Sequence, residues 1–129
     1  MTYLDLILLV KIGGSAVFLV LPFLFLPAGR LMPLLQIEGS EAAMPMMRLY
    51  GLAVLALLVG YSFGLSWVSG GNFPVGVVVM GLVSNGGGAI FLLASGGYRK
   101  AAAMTAYLIA IAVSLAFGIA NPAMVMQPL

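Results

Sequence analysis

The sequence predicts an all-α polytopic membrane protein, a bundle of four transmembrane helices. Three observations predict it. First, 64% of the 129 residues are hydrophobic, 6% are charged and the mean hydropathy is +1.23. Soluble domains carry roughly 25% charged residues, and a chain this poor in charge cannot cover a water-facing surface. Second, four apolar stretches reach the roughly 20 residues that a span requires. Third, those stretches are too long for barrel strands and lack their period-two alternation. The length suits a single transmembrane domain, residues 1–129, with no room for a soluble one.

The first span is expected at about residues 4–26. Only Asp5, and no basic residue, precedes its apolar run, so it reads as a retained helix rather than a secretory signal. Lys11 is the one charge well inside a span. At a helix centre a lysine costs about 2.5–3.5 kcal/mol on the insertion scale. Helical side chains lean toward the N-terminus, so Lys11 is expected to snorkel outward, to Asp5 or a lipid phosphate. The competing reading buries it against an anionic group or another subunit's carboxylate. Pro22 is expected to kink the helix or end it early.

The connection from Pro27 to Pro45 holds Arg30, Glu38 and Glu41, with Leu31, Met32, Leu34, Leu35 and Ile37 between them. Such a mixture is expected to lie along the membrane interface. The second span is expected at about 46–68, ended by "SGGN", and the third at about 74–95, with Pro74 in a permitted first-turn position. The fourth is expected at about 101–120, ended by Asn121-Pro122. The short links make the second, third and fourth spans antiparallel neighbours.

Small residues recur on these helices. The second span has Ala53, Ala56, Gly60 and Gly64; the fourth has Ala102, Ala106, Ala110, Ser114 and Gly118. On the third, Gly81 and Gly88 share a face with Asn85, bordered by Ser84. Val79, Leu82, Val83 and Ile90 lie opposite and suit lipid. In a bilayer no hydrophobic force drives helices together, and small residues let backbones approach. Three such stripes predict tight packing of the second, third and fourth spans. Gly86-Gly87-Gly88 exceeds what one stripe needs. Each glycine costs about 1 kcal/mol of helix propensity against alanine. The excess points to a local distortion, or to close approach by a ligand or helix on more than one side.

Arg30, Arg48, Arg99 and Lys100 fall on one side of this topology, against Lys11 toward the other. The positive-inside rule then puts both termini on the non-cytoplasmic side of a bacterial inner membrane. Tyr3, Trp67 and Phe73 would mark the outer interface, and Phe25, Tyr50 and Tyr98 the inner one. The basic residues and Lys11 are also the candidate charge contacts to lipid or a partner.

There is no Cys and no His, which removes thiolate nucleophiles, Fe–S clusters, imidazole ligands and Cys/His zinc sites. Serines without a base at suitable spacing form no nucleophile constellation. No Asp or Glu lies deep in a span, as a proton relay would need. The clustered methionines suit adaptable packing better than copper binding. The net charge of +2 does not suggest nucleic acid. These readings predict no enzyme, no metal and no cofactor of the chain's own, and they admit a bound lipid or quinone.

The segments "MMRLYGLAVLALLVGYSFG" and "SNGGGAIFLLASGGYRKAAAMTAYLIAIAVSLAFG" resemble the loosely DoxX-like group of small four-helix bacterial membrane proteins. The shared pattern is Arg-Leu-Tyr-Gly opening the second helix and a glycine-rich third helix followed by a basic turn. The resemblance implies the fold, and an accessory role beside quinone-linked redox complexes; it carries no site residues. Together these readings predict a non-catalytic small subunit that packs onto a larger inner-membrane complex, such as a respiratory or photosynthetic electron-transport assembly. Its expected partners are membrane lipids and other integral membrane subunits. The alternative is an oligomeric carrier or channel for a small or lipid-soluble molecule, with Asn85, the triple glycine and Lys11 along its path.

Overall fold

A computed structural model describes residues 1–35 and 41–129, and is all-helical apart from turns and one isolated backbone bridge. Ile37 and Glu38 fall outside those residues, as do the side chains of Leu35 and Glu41. Four helices are long and apolar enough to cross a membrane: Tyr3–Phe25, Met44–Ser69, Val75–Ala94 and Ala102–Ala120.

The first span opens on a reciprocal cap. Asp5 N–H donates to the Thr2 hydroxyl at 3.2 Å, and Thr2 N–H donates to the Asp5 carboxylate at 2.8 Å. Two N–H groups that the helix leaves orphaned are thereby satisfied. Pro22 neither ends nor breaks the span, which runs on to Phe25. The turn before it, Ala16–Val20, is wound as a π-helix, with the Leu21 N–H bonded to the Ala16 carbonyl. A proline lacks an N–H and its ring collides with the carbonyl four residues back; one wide turn absorbs both problems. Leu26 is extended, as a residue before proline prefers. A short helix, Ala28–Leu35, follows, with Leu31 and Met32 buried and Leu34 exposed.

Arg48 ties the first two spans together. Its guanidinium donates to the Phe23 and Leu26 carbonyls at the end of the first span. Those oxygens have no onward helical partner, and a fork of donors satisfies both. The second span packs along the first, with Phe23 and Leu24 seated over Gly51. The third and fourth spans pack along one another about as extensively.

This differs from the expected packing. The second and third spans approach less closely than either of those pairs. The physical reason is that glycines here receive bulky side chains rather than other glycines. Leu115 of the fourth span fills the space over Gly81, and Leu108 that over Gly88. Tyr61 and Met80 stand between the second and third spans. The buried face of the second span is Gly51, Val54, Leu58, Tyr61, Gly64 and Val68, while Ala53 and Ala56 are exposed. On the fourth span Thr105, Ile111, Leu115 and Gly118 are buried, while Ala102, Ala106 and Ala110 face outward. Val79, Val83 and Ile90 are exposed as expected, but Leu82 is half-buried against the core.

Tight turns join the later spans, with Gly71 and Gly96 at positive φ (76° and 74°), where a side chain would be strained. Past the fourth span, Pro122–Val125 forms a helical turn that buries Val125 near Gly118. Leu129 N–H then donates to the Met1 carbonyl at 2.9 Å, beside a bridge between Thr2 and Pro128. Both termini therefore meet at one end of the bundle.

Candidate functional site

The core of this apolar chain is polar at its centre. Among the described residues, the buried polar ones are Lys11, Ser15, Asn85 and Thr105, on the first, third and fourth spans. Thr105 bonds back to the Ala101 carbonyl at 2.9 Å and is thereby satisfied within its own helix. The others converge, joined by two tyrosines.

Lys11 is only 5% exposed. Its ammonium stands 5.2 Å from the centre of the Tyr107 ring, in cation–π geometry. This corrects the expectation that it snorkels outward. Asp5, the proposed partner, is already engaged by Thr2. The Tyr107 hydroxyl donates to the Lys11 carbonyl at 3.3 Å and lies 3.4 Å from the Ser15 hydroxyl. The tyrosine reaches the first span across Gly14, where a methyl group would stand 2.9 Å from its oxygen.

Asn85 is fully buried. Its Nδ2 donates to the Gly81 carbonyl at 2.8 Å and to the Tyr61 hydroxyl at 3.2 Å, with Ser84 Oγ at 3.3 Å. The Tyr61 and Ser84 hydroxyls are themselves 3.5 Å apart. Asn85 Oδ1 has no hydrogen-bond partner. An unpaired buried acceptor forfeits about 1–3 kcal/mol of solvation. A small cavity of about 50 Å³ adjoins Asn85, lined also by Lys11 and Ser84, and walled by apolar side chains including Leu19, Val54 and Leu108. All four spans contribute to it. A second, larger space of about 490 Å³ opens between the first and fourth spans, against Tyr3, Ile7, Phe117 and Val125. That groove is apolar and unremarkable for a lipid-facing surface.

No protein-family model, curated protein or solved structure matches this chain. The cluster is therefore read from its own geometry.

The sequence-predicted residues divide by place. Lys11, Ser84 and Asn85 come together at the cavity, with Gly81 directly beneath the Tyr61 hydroxyl. Gly64 is buried against Val77 and Leu8, Gly60 faces Met80 and Gly88 faces Leu108, so these three serve packing between spans. Ala106 and Ala110 are exposed. Arg48 is used as a cap, whereas Arg30, Arg99 and Lys100 are exposed, Arg99 lying over the Tyr98 ring at 5.9 Å. Among the triple glycine, Gly86 and Gly87 adjoin open space. Sequence reasoning missed Tyr61, Tyr107 and Ser15. The available signal was Tyr61 itself, a hydroxyl set deep in a span, away from the interfacial belts where tyrosine concentrates.

Proposed function

We propose that this protein is a non-catalytic small subunit of a bacterial inner membrane, packing onto a larger integral membrane assembly, with both termini on the non-cytoplasmic side. One observation carries this reading: Ala102, Ala106 and Ala110 form an exposed stripe on the fourth span. A stripe of small side chains gives lipid no better contact than leucine would. It favours close approach of another helix backbone. Ala53 and Ala56 of the second span, and the open Gly86 and Gly87 of the third, point the same way. The orientation rests on Arg30, Arg48, Arg99 and Lys100 sharing one side. The DoxX-like resemblance agrees with an accessory role, and rests on sequence pattern alone.

Purification in mild detergent followed by native mass spectrometry tests the proposal. The expected result is co-purification with other integral membrane subunits, lost on combined Ala106→Leu and Ala110→Leu substitution while the chain still folds. A stable wild-type monomer without partners would overturn it.

A second reading, an oligomeric carrier for a small molecule, is favoured by a different observation: the cavity between Lys11 and Asn85 lies within one chain and touches every span. Asn85→Leu separates the two. Loss of flux through reconstituted vesicles with assembly intact supports transport; loss of co-purification supports the subunit reading.

A further inference from the structure

We infer that the cavity between Lys11 and Asn85 is a binding site for a small monovalent anion of halide size, held together with a water molecule. The argument begins with charge. Lys11 lies about 12 Å along the backbone of the first span from Tyr3, at about 1.5 Å per residue, and the residue is 5% exposed. Among the described side chains the acidic one is Asp5, and it is committed to the Thr2 cap. The Tyr107 ring covers the ammonium on one side but supplies only a quadrupole. A cation so placed calls for a counter-charge near its open side. Lys11 itself lines the cavity.

The second part of the argument is Asn85. Its amide orientation is settled by the 2.8 Å contact to the Gly81 carbonyl, where a second oxygen would be repelled. Oδ1 is therefore the acceptor left without a donor. The site thus presents a cation that seeks negative charge beside an acceptor that seeks a hydrogen. An anion satisfies Lys11. A water touching that anion donates one hydrogen to it and the other to Asn85 Oδ1. Size selects the class. One water needs about 10–15 Å³ of such space, so a cavity of about 50 Å³ has room for a halide-sized ion with a few waters. The apolar walls at Leu19, Val54 and Leu108 disfavour an anion with higher charge or more hydrogen-bonding oxygens.

Thermal unfolding of the purified protein in detergent, in sodium chloride or bromide against sodium gluconate at equal ionic strength, tests the site. Gluconate is too large to enter. A ligand bound only by the folded state raises the midpoint with its concentration. The expected result is a Tm that climbs with chloride or bromide and stays flat with gluconate. Lys11→Met, which keeps the length of the side chain and removes the charge, abolishes that dependence. Asn85→Asp, which brings an anion into the site, also abolishes it and serves if Lys11→Met does not fold. Wild-type protein indifferent to both halides up to several hundred millimolar would overturn the inference and leave a cavity that holds water alone. So would a Lys11→Met protein that keeps the full halide dependence, since the ion would then bind elsewhere.

Discussion

The Asn85 carboxamide donates to the Tyr61 hydroxyl at 3.2 Å, joining the second and third spans at a point where both side chains are fully buried. Gly81 makes this meeting possible. A methyl group there would stand 2.8 Å from the Tyr61 oxygen and 2.5 Å from a Leu115 methyl on the fourth span. Three spans converge on one missing side chain.

Gly81→Ala is therefore expected to destabilise the protein by about 1–3 kcal/mol, the usual range for overpacking a filled core. Gly87→Ala in the same helix meets nothing within 4 Å. It should instead stabilise by up to about 1 kcal/mol through helix propensity. Thermal unfolding of the two variants side by side checks the contrast. Equal effects would mean that the third span does not pack through Gly81.

Arg48 is expected to behave as a structural cap. In Arg48→Gln the Phe23 and Leu26 carbonyls lose their charged donor. The expected cost is about 1–3 kcal/mol. Arg48→Lys should recover only part of it, because one ammonium cannot reproduce the guanidinium fork. Hydrogen exchange at the end of the first span and the start of the Ala28–Leu35 helix should accelerate in both variants. Unchanged exchange there would assign Arg48 to lipid or a partner instead.

The orientation can be read by labelling, because the chain contains no native cysteine. Ser69 ends the second span and Ser95 follows the third, and both are exposed. A membrane-impermeant maleimide added to intact cells is expected to label Ser69→Cys and spare Ser95→Cys until the membrane is opened. The opposite pattern would invert the proposed topology.

Local chemistry determined much of this protein before any contact formed. The structured helices begin and end within two residues of the expected spans, because apolar length and the glycine and proline breaks at "SGGN" and "NP" are signals carried by neighbouring residues. The Thr2–Asp5 cap is equally local. The small-residue pattern was less informative. In lipid the inside and outside of a helix are both apolar, so hydrophobicity no longer separates buried faces from exposed ones. Ala106 and Gly81 belong to stripes of the same spacing, yet one faces outward and the other lies beneath Tyr61 and Leu115. Only the rotation of each helix against its neighbours decided which stripe was covered. The same is true of Lys11. Its long side chain can lean toward either surface or core, and the Tyr107 ring that receives it is supplied by the last span, at the far end of the chain.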